Sequence, residues 1–229
     1  MRRMPQTARR TIAALLLVML TAVGCGRGGG DGELPAAAEL LAAAADEMAA
    51  VQSTRLVVET DTDVSGLPVR KVEGVLTRSG EAEGTAQIEQ MGVLMEVSFV
   101  LVGDTFHYKL IGGWQQLPLS QASTLYDPSA ILDGERGVPH LLRTVTDGEV
   151  EARETVAGVQ TYRVRATLPG DALGVVLPGI DEPVPGTLWI GVDRPLLHRV
   201  EFTLTGAAGS GTATVTLSDF DAPVEISAP

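Results

Sequence analysis

The chain has 229 residues, of which 29 are acidic and 17 basic, and aromatic residues make up only 4% of it. A formal net charge of −12 argues against the basic surface with which proteins bind nucleic acid. The length suits one domain with a sizeable core, and the shortage of aromatic residues predicts that this core is mostly aliphatic.

The first 24 residues have the pattern of an export signal. Four arginines lie among the first ten residues and precede an apolar run over 11–23. That run is too short to cross about 30 Å of hydrocarbon as a helix. Removal of residues 1–24 leaves 13 basic against 29 acidic residues, a net charge of −16. The arginine pair at 9 and 10 is only a weak twin-arginine signal, so the export route stays open.

Cys25 is the only cysteine, and it follows the small residues of 22–24 (AVG). This pattern resembles the bacterial lipobox, in which the thiol receives a diacylglyceryl group and becomes the N-terminus after cleavage. The alternative, an ordinary signal peptide, would leave a free thiol on an exported protein. Two or three acyl chains anchor a protein durably. We therefore expect Cys25 to be lipidated and to hold the protein on the extracytoplasmic side of the cell membrane.

Three segments follow from this interpretation. Residues 1–24 are the signal peptide, residues 25–33 are the lipidated N-terminus with a glycine-rich linker, and residues 34–229 form a single domain. The domain begins with a predicted helix over 34–53, which has Pro35 in its first turn and one apolar stripe. The acidic residues of this helix predict that it lies on the domain rather than in a membrane.

From residue 54 the hydrophobic period changes to two, and strands are predicted near 54–60 and 72–76. The segment 61–66 between them opens like a calcium-binding EF-hand loop. The twelfth position of such a loop is Val72 instead of the glutamate that binds the ion through both oxygens. We therefore interpret the segment as a solvated turn.

The segment 93–110 is predicted to be a hairpin, because Gly103 and Asp104 form a glycine-first turn between two runs of period two. One face of this hairpin is apolar and the other polar. The predicted cross-strand pairs are Leu101 with Phe106, Phe99 with Tyr108 and Val97 with Leu110.

The rest of the chain predicts short helices and further strands. The helices cover 129–132, 138–145 and 171–177, and the strands cover 114–117, 149–156, 161–168, 186–192, 196–205 and 212–220. Open sheets of this size curl, and glycines inside strands, such as Gly74 and Gly191, permit sharp bends. The prediction is an α+β fold. It consists of a strongly curved antiparallel half-barrel of about ten strands, with short helices packed on its concave face around an apolar cavity.

Four stretches carry a resemblance to a known family: 126–133 (YDPSAILD), 137–142 (GVPHLL), 154–162 (ETVAGVQTY) and 217–223 (LSDFDAP). They resemble the LppX/LprG family of actinobacterial lipoproteins, which includes LppX, LprA, LprF and LprG. The resemblance implies a half-barrel that binds di- or triacylated lipids or glycolipids. It also implies transport across the periplasm-like space towards the outer cell envelope, in some members alongside a major-facilitator exporter. No cofactor is expected, and the bound acyl lipid is the cargo.

The candidate lipid-binding residues are those on the apolar faces of the predicted strands. The alternative for each of them is that it fills a solid core. They are Val58, Leu76, Val93, Met95, Val97, Phe99, Phe106, Tyr108, Val164, Leu188, Ile190, Val200 and Phe202.

Two other classes of function are alternatives to a lipid carrier. The chain has three histidines but no HExxH, CxxC or GxSxG motif, so we predict that it is not an enzyme. Glu149, Glu151 and Glu154 are interpreted as solvated surface rather than as a catalytic cluster. The remaining alternative is an envelope lipoprotein with a filled core that acts as a partner or regulator of a lipid exporter.

Overall fold

The computed structural model describes residues 33–61, 69–90, 92–122, 130–176, 180–206 and 209–229. The predictions for the signal peptide, for Cys25 and for nearly all of the segment 61–66 lie outside these residues. Within the described ranges, no helix combines the length and the apolar character needed to cross a bilayer.

In the described part of the chain, eleven strands form one antiparallel sheet that is curved and unclosed. This architecture confirms the predicted α+β half-barrel. From one edge to the other, the strands are β6 (Gln115–Pro118), β5 (Thr105–Lys109), β4 (Val93–Val102), β3 (Ala82–Gln90), β2 (Val69–Thr77), β1 (Ser53–Thr60), β11 (Gly209–Ser218), β10 (Leu197–Gly206), β9 (Val184–Gly191), β8 (Val159–Leu168) and β7 (Thr146–Val156).

The strand β3 is the one that the sequence analysis did not predict. On its covered face it carries Ala82, Gly84 and Ala86, which lie opposite Leu101, Phe99 and Val97 of β4 in the ladder. Residues this small give only a weak hydrophobic signal, although polar residues alternate with them without interruption from 81 to 89.

The hairpin of β4 and β5 has the predicted register. Leu101 pairs with Phe106 and Phe99 with Tyr108, and the φ angle of Gly103 is +55°. The ladder ends at the pair of Ser98 with Lys109, so the predicted pair of Val97 with Leu110 lies one residue beyond the last observed pair.

Four helices lie within the described residues: α1 (Ala37–Ala50), α2 (Leu119–Ala122), α3 (Val138–Thr144) and α4 (Gly170–Val176). The helix predicted over 34–53 is shorter at both ends, because Ala36 and Val51 have extended backbones. Of the helix predicted over 129–132, the described residues are not α-helical: Ala130 is in a 3₁₀ turn, and 131–132 form a turn. There the N–H of Asp133 donates to the carbonyl of Ala130 and closes a single turn. The helix α2 was not predicted.

One hydrophobic core joins α1, α3 and α4 to a single face of the sheet. The stripe of α1 that was predicted to face the domain is buried, as Leu41, Ala44 and Met48 show. The core is mainly aliphatic, and Phe202 is its largest fully buried side chain. The helices therefore cover one face of the sheet and leave the other to the solvent.

Candidate lipid-binding surface

The strand registers place all thirteen predicted residues on the covered face of the sheet. Val200 lies opposite both Val215 and Leu188, and Leu188 lies opposite Val164. On the other half of the sheet, Phe99 continues the same face through Gly84 and Tyr108. The sheet therefore offers one continuous apolar surface across its width.

Burial divides the thirteen residues into two groups. Eight are buried: Val58, Leu76, Phe99, Val164, Leu188, Ile190, Val200 and Phe202. Met95, Val97, Phe106 and Tyr108 are partly buried, and Val93 is exposed.

Along β4 the burial changes steadily from one end of the strand to the other. Val93 at the start is 59% exposed, Phe99 is 7% exposed, and Leu101 near the end is fully buried. Met95 and Val97 lie between them in both position and exposure. The apolar surface is therefore accessible at the rim where β4 begins and covered at the rim where β4 ends. We call these the open rim and the closed rim.

At the closed rim, polar contacts hold the end of α1. Arg78, in the turn between β2 and β3, donates to the carbonyl of Val51 at 2.7 Å and to that of Met48 at 3.2 Å. These acceptors lie at the C-terminal end of α1, where carbonyls have no partner within the helix. Arg78 thus fixes the end of α1 to the sheet.

A second arginine, Arg194, connects three segments at the closed rim: the turn between β9 and β10, the helix α1 and the segment after β11. Arg194, between β9 and β10, lies 2.8 Å from the carboxylate of Glu47 in α1 and 3.0 Å from that of Asp221. The backbone N–H of Gln52 donates to Asp221 at 2.8 Å. This N–H, together with Arg194, holds the pKa of the Asp221 carboxyl below its usual range. Hydrogen bonds and ion pairs therefore hold the end of α1 against the sheet at the closed rim.

Aromatic rings line the covered face of β4 and β5. The rings of Phe99 and Phe106 stack with centroids 6.1 Å apart, and those of Phe106 and Tyr108 stack at 6.3 Å. The hydroxyl of Tyr108 donates to Gln115 at 2.8 Å. The row thus presents an apolar wall whose polar end lies towards the open rim.

The three carboxylates that could resemble a catalytic cluster form ion pairs with arginines. Arg165 pairs with both Glu149 and Glu151, and Arg163 lies 3.3 Å from Glu151 and 3.7 Å from Glu154. The hydrogen bond from Arg165 lowers the pKa of Glu151. Among the described residues, no three acidic, histidine or cysteine side chains come together as a metal site would need.

His198 is partly buried and also has an ordinary structural environment. Its ring meets that of Phe220 edge-on, with the centroids 5.3 Å apart, and burial lowers its pKa. It was predicted to be a residue of a strand face, and it lies in β10.

Sequence reasoning missed the contribution of β3 to the apolar surface. Ala86 lies between Val72 and Val97, and Gly84 lies between Gly74 and Phe99. The available signal was the alternation of small and polar residues. Leu168 of β8, whose side chain fills the space beside Gly186, was also not predicted to lie on this surface.

Comparisons with known proteins agree on one family. A family model described as LppX_LprAFG lipoprotein matches residues 36–226. The chain is 31% identical to the lipoarabinomannan carrier protein LprG of Mycolicibacterium smegmatis, with 100% of this chain and 99% of that protein covered. It is 29% identical to the protein of the same name from Mycobacterium leprae, with 98% of each covered.

Two solved structures are similar in fold. LprF from Mycobacterium bovis superposes with a TM-score of 0.75 at 24% identity, and the match covers 84% of this chain and 96% of that one. LppX from Mycobacterium tuberculosis superposes with a TM-score of 0.62 at 24% identity, covering 84% and 99%. Both have the same large curved sheet with few helices.

Proposed function

The chain belongs to the LppX_LprAFG lipoprotein family, and we propose that it is a membrane-anchored carrier of lipids with two or three acyl chains. The cargo would lie between the helices and the covered face of the sheet. It would travel across the periplasm-like space towards the outer cell envelope. In this proposal the protein catalyses no reaction.

The observation that carries this proposal is the change in burial along β4. A core that merely holds a domain together would enclose the whole apolar face, yet Met95 and Val97 are only partly buried and Val93 is largely exposed. Large exposed apolar patches on soluble domains mark surfaces that bind something. Because this patch continues into a buried apolar interior, acyl chains are the chemistry that it fits.

The energetics explain why such a carrier is needed. Exposing a sixteen-carbon chain to water costs on the order of 12 kcal/mol, at about 0.8 kcal/mol per methylene group. A lipid with several chains therefore does not cross an aqueous space unaided. An aliphatic surface with an aromatic wall replaces the bilayer as a solvent and requires no directional chemistry.

The relatives' names narrow the cargo. The proteins of M. smegmatis and M. leprae are lipoarabinomannan carriers. We extend this to the present chain as an acylated glycolipid whose sugars stay outside the sheet while its acyl chains lie within. Lipidation of Cys25 would tether the carrier, since a net charge of −16 in the mature chain gives no attraction to anionic headgroups. An exporter of the major-facilitator class is the proposed source of lipid.

Native mass spectrometry of the mature protein purified from its own host tests this proposal. We expect the protein to carry one additional mass that dissociates as a lipid with two or three acyl chains. Delipidated protein should also move fluorescent phospholipid between vesicles. Protein that arrives empty and transfers no lipid would contradict the carrier function and would favour a partner or regulator of an exporter.

A further inference from the structure

Five large apolar side chains are exposed where β4 begins and where β5 gives way to β6. We call them the apolar rim: Val93, Leu94, Leu110, Ile111 and Trp114. Ile111 is 90% exposed, which is extreme for a side chain of this size. Single exposed apolar residues are ordinary, but five at two places on the same rim, the start of β4 and the segment between β5 and β6, indicate an interaction surface.

The tip of the hairpin of β3 and β4 projects from this rim. The last pair between β4 and β5 is Ser98 with Lys109, whereas the ladder between β3 and β4 continues to Gln90 with Val93. Val93 therefore lies about 16 Å along the strand past Ser98, at about 3.3 Å per residue. Among the described residues, this tip and the hairpin of β10 and β11, whose ladder continues to Gly206 with Gly209, are the parts that project at the open rim.

The N-terminal chain enters the domain at the same rim. A methyl group on Gly148, near the start of β7, would lie 3.4 Å from the Cβ of Ala37, the first residue of α1. In the antiparallel sheet, β7 and β4 begin at the same rim. The nine residues from Cys25 to Glu33 are joined by eight peptide links and span at most about 28 Å, at about 3.5 Å per link. A lipid on Cys25 would therefore keep the open rim close to the bilayer.

We propose that the apolar rim inserts shallowly into the membrane that holds the anchor, so that a lipid moves between the bilayer and the covered face of β4 without crossing water. This inference rests on the proposed carrier function. The row of Val93, Val97 and Phe99 connects the rim to the buried interior without a polar interruption on that face. The occupant of the rim is thus a lipid surface, the same material that the interior binds.

The side chains at the tip favour insertion into a bilayer over binding to a protein partner. Val93 and Leu94 point to opposite faces of β4 and are both exposed, which suits a surrounding hydrocarbon better than a one-sided interface. Glu96 is exposed two residues further along, so its carboxylate limits the depth of insertion. Glu89 is paired with Arg70 at 2.8 Å, which offsets its charge near the tip.

Site-specific fluorescence tests the insertion. Because acylation blocks Cys25, Leu94→Cys gives the mature lipoprotein one free thiol for an environment-sensitive dye. Val159→Cys is the matched control, since Val159 is apolar and 36% exposed but lies at the closed rim, where it is the first residue of β8. Both proteins are reconstituted into phosphatidylcholine vesicles, and labelling of one thiol per molecule checks that Cys25 is blocked.

We expect the dye at position 94 to brighten at least threefold on reconstitution and to be quenched by spin-labelled phosphatidylcholine, while the dye at position 159 does neither. Equal responses at the two positions, or none at position 94, would overturn the insertion. The readout concerns only the contact between rim and bilayer, so it does not depend on whether the interior holds a lipid.

A second measurement connects the rim to lipid uptake. The double variant Leu94→Asp with Ile111→Asp should slow uptake of fluorescent phospholipid from vesicles at least tenfold, while the amount held after loading from detergent stays the same. The control is Ser79→Asp with Val159→Asp, which adds the same charge at the closed rim. Unchanged uptake by the rim variant would overturn the inference and leave the carrier function standing. Absence of held lipid in every variant and in the wild type would contradict the carrier function itself.

Discussion

Gly84 lies directly opposite Gly74 in the ladder of β2 and β3, and a Cβ on Gly84 would stand 2.7 Å from the Cα of Gly74. A Cβ on Gly74 would stand 2.5 Å from the carbonyl oxygen of Glu83. Side chains do not tolerate such distances, so the two strands approach each other as only glycines allow. The pair thus permits a sharp bend on the covered face, as was predicted for Gly74.

We expect Gly84→Ala to lower the free energy of unfolding by about 1–3 kcal/mol, because the added methyl group must push one strand away from the other. Gly134→Ala is the control, since a Cβ there meets no atom within 4 Å. It should change the free energy of unfolding by less than about 1 kcal/mol. Any change should be stabilising, because alanine lowers the conformational entropy of the unfolded chain. Urea unfolding of both variants measures the difference. Equal free energies for the two would contradict a tight approach of the strands.

The second prediction concerns the anchor. Cys25→Ala should abolish the incorporation of a radioactive fatty acid into the protein, because the thiol is the proposed site of acylation. Circular dichroism of the variant should match the wild type, since Cys25 lies in the predicted linker, outside the domain that begins at residue 34. Gly28→Ala, a change in the same linker, should be labelled normally. A wild-type protein that takes up no label would disprove the lipoprotein anchor.

The third prediction concerns the stability of the closed rim towards acid. The pKa of Asp221 is lowered in the folded state, first by the hydrogen bond from the N–H of Gln52 and then by Arg194. Its contribution is therefore fully present above the unfolded pKa of about 3.9 and is lost as the pH falls through the lower folded value.

We expect Asp221→Asn to cost about 1 kcal/mol of unfolding free energy at pH 7, a modest value because the carboxylate is partly solvated. The difference from the wild type should persist at every pH above the unfolded pKa of about 3.9 and should shrink as the pH falls below it towards the lowered folded pKa. Urea unfolding across this pH range measures it. Asp193→Asn is the control, since Asp193 is an exposed carboxylate in the same turn as Arg194. A difference that stays constant down to pH 2 would show that the charge of Asp221 is not the cause.

Local patterns explain which parts of the fold could be predicted from the sequence. The hairpin of β4 and β5 was predicted with its register because the turn at Gly103 and the alternation in both strands agree within a short segment. The strand β3 was not predicted, because Gly84 is small for a reason that lies outside the strand. Gly84 must accommodate Gly74 of the neighbouring strand, and a single sequence does not reveal that contact.

The division of the apolar face into covered and accessible parts depends on contacts between distant segments. Val97 and Val164 have the same side chain and lie on the same face, yet Val164 is fully buried and Val97 is only partly buried. The difference arises from where α1, α3 and α4 pack. The helix α1 is held by Arg78 and Arg194, whose hydrogen-bond partners in and next to α1 lie 27 and 147 residues away in sequence. Thus the sequence predicts the face but not the part of it left free for a ligand.

The last prediction uses this matched pair of valines to distinguish a cavity from a core. Val164→Trp places a large ring in a close-packed region and should lower the unfolding free energy by about 1–3 kcal/mol or more. Val97→Trp places the same ring where the side chain is only partly buried, so delipidated protein should lose less than about 1 kcal/mol. The ring would occupy space that the proposed acyl chain uses, so transfer of fluorescent lipid between vesicles should fall. Thermal unfolding of delipidated variants beside the transfer assay measures both quantities. If Val97→Trp is destabilised as strongly as Val164→Trp while its folded fraction transfers lipid normally, Val97 belongs to the core and not to the lipid-binding surface.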